Sequence, residues 1–340
     1  MSLQTEFSKK TLAEHLSHFD IRVQEVLAKH TSFQIGGSVD FWVEPRSQTE
    51  LIELLNLSRE FGQPLYLIGG GNNILVEDEG LRGIAVHLGN PVFREVELLT
   101  ENKIRAGAGT DLGQLLSWSA GRGLSGLEFL AGIPGTMGGA IWMNAGRGIQ
   151  NTEGGRQKAE GREQKTEGGE EVHHIGELVE SVTLMDENGK IRTVSKDEIE
   201  FGYRHTNLPC GIILSALLSL GAGDPEQIRE QIRQNVKTKI KTQDLYFPSA
   251  GCIFKNPTHS KKSSGQLIDE IGLKGVRIGQ AQISEKHANF IINRNSATCK
   301  EVLTLIRLIQ HMVREEYDLQ LELELRIIGS SRRSHGGVVQ

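Results

Sequence analysis

The stretch GLEFLAGIPGTMGGAIWMNAG, residues 126 to 146, decides how this sequence is interpreted. Four of its glycines surround Pro134 in a segment that is otherwise apolar enough to be buried. Buried backbone must satisfy its N–H groups, and a bound phosphate chain or a flat heterocycle can accept those hydrogen bonds. The stretch therefore predicts a ligand-binding loop inside a folded domain.

LIGGGNNILV at residues 67 to 76 is the first glycine cluster along the chain, residues 126 to 146 being the second, and it follows a predicted strand. Three consecutive glycines permit positive φ angles and let a ligand approach the backbone N–H groups closely. The spacing is not that of a Rossmann fingerprint, and the residues after it suggest strand and turn instead of the start of a helix. Alone, a tight β-turn explains the cluster equally well, but two such loops in one domain favour a large dinucleotide.

The composition limits the class of protein. A chain of 340 residues predicts two or three domains, and a net charge of -5 leaves no broad basic surface, so we expect no nucleic-acid partner. The three cysteines, Cys210, Cys252 and Cys299, are scattered without a C-x-x-C pair, which argues against disulfides and structural zinc. No apolar run reaches the roughly 20 residues of a membrane span, and no signal peptide is visible. We expect a cytoplasmic, metal-free protein that is not bound to a membrane.

The apolar periodicity predicts mixed helices and strands along the chain. Helices are expected at 49–60, 111–120, 225–241, 265–271 and 300–316, and strands at 64–68, 83–88, 95–99, 103–106, 178–185, 191–194, 211–220, 277–278, 288–293 and 319–329. The order helix 49–60, strand 64–68 indicates a β-α-β unit near the start. The pair at 277–278 and 288–293 is expected to be hydrogen-bonded directly.

Between residues 146 and 177 the composition changes abruptly to TEGGRQK, AEGREQK and TEGGEE, a threefold seven-residue repeat. The repeat contains no large apolar residue, so it has nothing to bury and cannot form a coiled coil. We interpret residues 147–175 as a solvated, mostly disordered insertion.

Seven motifs together resemble the UDP-N-acetylenolpyruvoylglucosamine reductases, in the same order and from about residue 20 to residue 329. They are HTSFQIGG (30–37), the two glycine clusters, FGYRHTNL (201–208), PSAGCIFKNP (248–257), SGQLIDEIGLKGVRIGQAQISEKHANFIIN (264–293) and LELELRIIG (321–329). The short distance from Arg204 to Cys252 leaves no room for the tyrosine-bearing loop of the longer subfamily. The chain therefore resembles the shorter, type II form.

The resemblance implies an α+β fold: a two-lobed FAD-binding domain of the PCMH (vanillyl-alcohol oxidase) type at 20–222, then a smaller α+β substrate-binding domain at 223–329. Residues 1–19 would be an N-terminal extension and 330–340 a frayed tail. The implied reaction uses NADPH to reduce FAD, which then passes hydride to the enolpyruvyl group of a UDP-sugar to give UDP-N-acetylmuramate for peptidoglycan synthesis. The expected partners are the UDP-sugar and NADPH, and the chain is expected to be a monomer.

The resemblance also implies site residues. Arg204 would bind the substrate carboxylate. Glu324, if protonated or hydrogen-bonded, would stabilise the charge that develops beside it, and partial burial would raise its pKa. Cys252, commonly serine in the family, would protonate the α-carbon. An ordinary thiol has a pKa of about 8.5, so turnover is expected to fall as pH rises through that value. FAD would be lined by Gly69, Gly70, Gly71, Asn72, Asn73, Gly132, Ile133, Pro134, Gly135, Gly138, Gly139 and Asn144. The substrate would contact Tyr203, Lys241, Asn256, Gln266 and His287, with Lys241 and His287 supplying cations and donors to the diphosphate.

Gln34 departs from the pattern, since the family usually has arginine at that position. Two other readings stay open at this point. One is a different PCMH-type FAD enzyme that oxidises a free sugar or lactone. The other is a non-enzymatic nucleotide-binding module in which the glycines serve only as turns; a colourless purified protein would favour it.

Overall fold

The first lobe is a four-stranded sheet in which only the outermost pair is antiparallel. The computed structural model describes residues 11–146 and 174–330. The strand order is β1 (Ile21–Val26), β2 (Ser38–Val43), β5 (Leu81–Val86) and β3 (Leu65–Leu67). Helix α2 (Gln48–Glu60) connects β2 to β3, because parallel strands need a crossover. This is the predicted β-α-β unit.

The second lobe is a five-stranded antiparallel sheet. Its order is β10 (Ile191–Ser195), β9 (Val179–Met185), β13 (Ile212–Ser219), β7 (Lys103–Gly107) and β6 (Val96–Leu98). Every strand of this sheet matches a run predicted from the sequence. The shorter elements here are α3 (Leu112–Ala120), β8 (Leu124–Ser125), α4 (Met137–Trp142), α5 (Ile175–Leu178), β11 (Phe201–Gly202), β12 (His205–Thr206) and β14 (Gly221–Ala222).

One apolar core joins the two lobes. Residues 11–16 form helix α1, and Leu12, Leu16 and Phe19 are buried in that core. The sequence suggested an extension preceding the domain at residues 1–19. The described part of it, from residue 11 onward, is instead packed into the first domain, because its leucines repeat at helical spacing and face the core.

The C-terminal unit has its own antiparallel sheet and core. The strand order is β15 (Ser249–Cys252), β18 (Phe290–Asn293), β17 (Ala281–Ile283) and β16 (Arg277–Ile278), with α7 (Ser264–Glu270) and α8 (Cys299–Tyr317) as its helices. The sequence analysis paired 277–278 directly with 288–293. The structure places β17 between them, and that strand is too short for its apolar alternation to be visible in the sequence.

The packing crosses the predicted domain boundary at residue 223. Helix α6 (Pro225–Thr242) packs Ile232 and Val236 against the core of the two lobes, and Asn235 Nδ2 donates a hydrogen bond to the carbonyl of Glu128 at 2.8 Å. The boundary remains a prediction from the sequence. What the structure adds is that α6 spans from the first domain to the strand that begins the second.

The last strand ties the C-terminal unit to the first glycine cluster. β19 (Arg326–Ile328) pairs in parallel with β4 (Ile74–Val76), immediately after residues 69–73. The sequence predicted one continuous strand over 319–329. Only its end is regular, because residues 322–324 hydrogen-bond to residues 253–255 instead: Glu324 N donates to the Ile253 carbonyl at 2.9 Å.

The heptad-repeat insertion, predicted at 147–175, lies almost entirely outside the described residues, as does the tail from 331. The described chain resumes at His174, which forms an isolated bridge with Gly146, and Ile175 is buried. The two ends of the insertion therefore meet at one place on the fold.

Candidate active site

A cavity of about 1490 Å³ lies where the two lobes, α6 and the C-terminal sheet meet. Ligand pockets commonly measure about 300–1,000 Å³. This cavity is large enough for more than one ligand. Of the residues singled out from the sequence, all except Asn144 and Lys241 are in its wall.

The first glycine cluster forms one wall of the cavity. Gly71 has φ +65°, and a Cβ added there would lie 2.0 Å from the His30 carbonyl oxygen. A Cβ on Gly70 would lie 2.9 Å from the Cα of Gly135 in the second cluster. Within the described residues, the N–H groups of Gly69, Gly70 and Gly71 donate no hydrogen bond to another part of the chain. The loop thus presents free donors to the cavity, as a pyrophosphate requires.

The second glycine cluster packs directly against the first. A Cβ on Gly69 would lie 2.7 Å from Thr136 Oγ1, and Thr136 caps α4 by accepting a hydrogen bond from Gly139 N at 3.4 Å. Gly132 and Gly135 have φ of +74° and +133°, conformations that side chains rarely adopt. Glycine is needed at Gly132 and Gly135 for the backbone conformation, and at Gly70 for space. The residues present therefore fit a dinucleotide such as FAD.

Asn144 does not line the cavity. It is buried with φ +42°, its Nδ2 donates to the Gly202 carbonyl at 2.9 Å, and its Oδ1 accepts from Gly176 N at 3.0 Å. The contact of Asn144 with the cofactor that the resemblance implies therefore stays a prediction. The Asn144 amide holds the ends of α4 and α5 against the turn that carries Tyr203 and Arg204.

Arg204 and Glu324 form a close pair in the cavity wall. Arg204 Nε donates to Glu324 Oε1 at 2.6 Å, and each side chain is only 14% exposed. Burial opposes the charge of Arg204, but the charge of Glu324, with the hydrogen bond to it, keeps the pKa of the guanidinium above its ordinary value. Arg204 Nη1 is buried and has no hydrogen-bond partner among the described residues. That unused donor is suited to an acceptor on a ligand.

The position of Glu324 is set by hydrogen bonds to the backbone on either side of it. Asn73, in the first glycine cluster, donates from Nδ2 to the Glu324 carbonyl at 3.1 Å, and its own carbonyl accepts from Arg326 N at 3.0 Å. Glu322, two residues earlier, is exposed and lies 3.7 Å from Lys255. Residues 322–325 do not form a regular strand, so the alternation of a strand does not place Glu322 and Glu324 on one face.

Cys252 ends strand β15 in the same wall. Burial, and after it the negative charge of Glu324, raise the pKa of the thiol to about 12, against the smaller opposing effects of Arg204 and Lys239. From the sequence, with an ordinary thiol pKa, turnover was expected to fall as pH rises through that pKa. The structure corrects that prediction, because the thiol keeps its proton throughout the neutral and moderately alkaline range.

Three polar residues expected at the substrate share this wall. The Tyr203 hydroxyl accepts from Asn256 N at 3.4 Å, and burial followed by the charge of Glu324 raises the pKa of Tyr203. Asn256 Oδ1 accepts from Ser264 N at 3.1 Å, which leaves its NH₂ group for a ligand. Gln266 Oε1 accepts from Ser263 N at 2.8 Å in a capping box, so its NH₂ group is oriented by the start of α7.

His287 contributes a neutral ring. Burial, and then the nearby charge of Lys274, lower the pKa of His287, so it does not supply the cation that the sequence analysis assigned to it. Asn289 N donates to His287 Nδ1 at 3.3 Å, which leaves Nε2 as the protonated nitrogen. His287 is therefore placed as a hydrogen-bond donor.

Lys239, and not Lys241, lies in the cavity wall. Lys239 lies against Gly132, whereas Lys241 is exposed and outside the wall. Two residues along a helix turn the side-chain direction by about 200°, so the two lysines leave α6 on different sides. The sequence left open which lysine near 237–241 contacts the substrate, and the structure favours Lys239.

Several cavity residues were missed from the sequence. Arg326 packs its guanidinium 5.9 Å from the Trp142 ring, and Ser32 Oγ donates to the Ser249 carbonyl at 2.7 Å, which links the first lobe to the strand of Cys252. Gln34, which replaces the family's usual arginine, also lies in the wall. Ser32 and Gln34 lie in the TSFQ motif and Arg326 lies in the RIIG motif. Both motifs were recognised in the sequence, but no role was predicted for these side chains.

Two searches over the described residues were negative. No helix there is long and apolar enough to cross a membrane. Nor do those residues contain a group of three or more His, Cys, Asp or Glu that could hold a metal ion.

Comparison with known proteins agrees with the fold and the cavity. Residues 241–328 match the family model "UDP-N-acetylenolpyruvoylglucosamine reductase, C-terminal domain", and residues 39–156 match "FAD binding domain". These matches confirm the predicted fold, an FAD-binding domain followed by a smaller α+β domain.

Full-length relatives extend the likeness over nearly the whole chain. The UDP-N-acetylenolpyruvoylglucosamine reductase of Geotalea uraniireducens is 40% identical over 91% of this chain and 94% of its own, and that of Heliobacterium modesticaldum is 37% identical over 91% and 90%. The crystal structure of the Thermus caldophilus enzyme has a TM-score of 0.71 at 32% identity, covering 91% of this chain and 98% of that one. The chain belongs to the UDP-N-acetylenolpyruvoylglucosamine reductase family.

Proposed function

We propose that the chain carries out its family's reaction with Arg204, Cys252 and Glu324 as the catalytic groups. The reaction is the NADPH-dependent, FAD-mediated reduction of enolpyruvyl-UDP-N-acetylglucosamine to UDP-N-acetylmuramate, which supplies peptidoglycan synthesis. The observation that carries the assignment is that one cavity contains the Arg204–Glu324 pair, the thiol and both glycine clusters. The monomeric state and the absence of a nucleic-acid partner stay predictions from composition.

The two glycine clusters are the site for FAD. The N–H groups of Gly69 to Gly71 point to a pyrophosphate there, and the close contact of this loop with residues 135–136 closes the cradle around it. When bound, FAD takes a hydride from NADPH and supplies it to the β-carbon of the enolpyruvyl group. All other steps fall to side chains of the chain itself.

Arg204 binds the substrate carboxylate. Its Nε is held by Glu324, which fixes the guanidinium plane, while the buried Nη1 has no partner among the described residues. A carboxylate placed against Nη1 completes the hydrogen bonding of a buried cation, which is favourable because an unpaired buried donor costs free energy. As charge develops on the carboxylate during the reaction, this contact strengthens.

Cys252 provides the proton that completes the reduction. Addition of a hydride to the β-carbon leaves an electron pair on the α-carbon and its carboxylate, and the S–H bond breaks as a C–H bond forms at the α-carbon. The raised pKa of the thiol ensures that the proton is present before the reaction. It also means that the donor is a weak acid at rest, so transfer depends on the strong basicity of the carbanion and on the nearby charges of Arg204 and Lys239.

The UDP moiety is held by polar groups on both sides of the cavity. Lys239 supplies positive charge to the diphosphate, and His287 donates from Nε2. Tyr203, Asn256 and Gln266 present hydroxyl and amide groups whose orientation is fixed by hydrogen bonds to neighbouring backbone.

The test separates the two half-reactions by stopped-flow spectroscopy of the FAD-loaded enzyme. NADPH should bleach the flavin absorption, and enolpyruvyl-UDP-N-acetylglucosamine should restore it under anaerobic conditions. In Arg204→Lys we expect bleaching at the wild-type rate but restoration slowed at least about 100-fold, because lysine cannot hold Glu324 and a carboxylate in one plane. Equal slowing of both steps would assign Arg204 to the fold. Bleaching of the flavin by a free sugar or lactone, with no restoration by the enolpyruvyl substrate, would favour the rival oxidase.

A further inference from the structure

A short segment at the cavity, residues 243–248, presents an aromatic ring that no catalytic role uses. It connects α6 to β15, the strand that ends in Cys252. Tyr246 in this segment is 88% exposed, the most exposed large apolar side chain among the described residues, and its neighbour Leu245 is 54% exposed. Both line the cavity.

The segment is anchored on each side of these two residues. Before them, Asp244 Oδ2 accepts a hydrogen bond from Ser284 Oγ at 3.2 Å. After them, the Phe247 ring lies 4.2 Å from the Arg294 guanidinium, and the Pro248 carbonyl accepts from Asn293 N at 2.8 Å. The exposed tip is therefore held in place by its ends and is not a frayed loop.

The Tyr246 ring is open to solvent over most of its surface, at 88% exposure. Its plane lies at 85° to that of Phe247, with centroids 4.9 Å apart, so the two rings are not stacked face to face. An exposed aromatic face beside a polar cavity is a platform on which a flat heterocycle stacks, and such stacking removes apolar surface from water.

The position of the ring indicates which part of the substrate it meets. Arg204 and Glu324, where the enolpyruvyl group reacts, are 14% exposed, whereas Tyr246 stands almost fully in solvent. The exposure of the wall side chains to solvent thus increases from the reacting end of the cavity to Tyr246. Lys239, on α6, lies in the same wall. A substrate with its carboxylate at Arg204 extends its nucleotide outward, and its base is the flat group at that end. The α6 wall adds amides from Gln231, Gln234 and Gln243, which match the carbonyl and N–H edges of a pyrimidine.

We propose that Tyr246 is a specificity-determining residue that stacks on the uracil ring of the UDP-sugar. The inference rests on the proposed function for the identity of the nucleotide. It assigns the recognition of the base to a side chain remote from the catalytic groups. FAD is an unsuitable occupant, because its cradle of glycines belongs to the two lobes and not to this segment.

The experiment measures ligand binding to the FAD-loaded enzyme by calorimetry, with UDP, N-acetylglucosamine 1-phosphate and NADP⁺ as three separate probes. For Tyr246→Ala we expect UDP to bind about 5- to 150-fold more weakly, the range that corresponds to 1–3 kcal/mol of base stacking. Binding of N-acetylglucosamine 1-phosphate, which has no base, and of NADP⁺ should be unchanged. Tyr246→Phe keeps the ring and should bind UDP within about twofold of wild type.

The matched control is Ile240→Ala, since Ile240 is 53% exposed but lies outside the cavity wall. It should leave all three affinities unchanged. Unaltered UDP binding in Tyr246→Ala, a wild-type enzyme that does not bind UDP, or weakening of NADP⁺ instead of UDP would overturn the inference. In steady-state assays the same variant should raise KM for the UDP-sugar and leave kcat unchanged. Because UDP binding is measured without turnover, absence of the proposed reaction would be seen separately.

Discussion

Cys252 is expected to be an unusually unreactive cysteine in the resting enzyme. Burial and the charge of Glu324 raise its pKa to about 12, from about 8.5 for an ordinary thiol. At pH 8 about one thiol in 10,000 is then ionised, against about one in four for an ordinary cysteine, a difference of about 2,000-fold. A more basic thiolate is also a stronger nucleophile, by about 40-fold over about 3.5 pKa units at a Brønsted slope of 0.4–0.5. The net expectation is alkylation about 50-fold slower than that of a free cysteine derivative.

The assay follows iodoacetamide labelling of the FAD-loaded enzyme by peptide mass spectrometry, which separates Cys252 from Cys210 and Cys299. Because the raised pKa favours the neutral thiol, the rate at Cys252 should climb about tenfold per pH unit from pH 8 to pH 10 without a plateau. Substrate-driven flavin reoxidation, which needs the protonated thiol, should not fall over the same range on account of Cys252.

Removing the charge of Glu324 tests the direction of the pKa shift of Cys252. Glu324→Gln removes a negative charge that opposes the thiolate, so the pKa of Cys252 should fall and labelling at pH 8 should accelerate. A fall of half a pKa unit gives about threefold more thiolate and, after the loss of nucleophilicity, about twofold faster labelling. Glu322→Gln is the control, since Glu322 is an exposed glutamate on the same segment. Wild-type labelling within about threefold of the free cysteine derivative, or slower labelling in Glu324→Gln, would refute this reasoning.

Two further predictions use pairs of residues that differ in one respect. Gly71→Ala should abolish FAD retention and lower the free energy of unfolding by more than about 3 kcal/mol, because the new Cβ would lie 2.0 Å from a carbonyl oxygen. Gly62→Ala is the control: its φ of +60° is similar but nothing lies within 4 Å, so it should cost about 1–2 kcal/mol and keep the flavin. Denaturant unfolding and the flavin spectrum measure both effects, and similar losses in the two variants would contradict the steric account. In steady-state assays, Lys239→Ala should raise KM for the UDP-sugar about tenfold or more, whereas Lys241→Ala should change it little. A larger rise in KM for Lys241→Ala than for Lys239→Ala would show that the helix presents Lys241 to the substrate.

The sequence was sufficient for the family, the two-lobed fold and most of the cavity wall. The reason is that these features depend on residue types that few other residues can replace. Glycine is required where φ is positive and loops touch, as at Gly71 and Gly135, and such positions are visible in a sequence. Arg204, Glu324 and Cys252 lie in sequence motifs that follow one another in the same order as in the family.

The strands of the second lobe were predictable for a similar reason, since their apolar runs are long. Strand β17 and the irregular segment before β19 were not predictable, because three residues carry no periodicity and because Glu324 is directed by hydrogen bonds from residues distant in the chain. Local pattern determines long elements, and tertiary contacts determine short ones.

Only the tertiary structure decided the chemistry of individual side chains. Which of Lys239 and Lys241 faces the cavity depends on how α6 packs on the two lobes, and the use of Asn144 as a backbone clamp depends on partners that come from separate turns. The pKa of Cys252 depends on burial and on a glutamate from the end of the chain. A sequence specifies which groups are available, but their charge state and direction follow from the solvent and the neighbours that folding places around them.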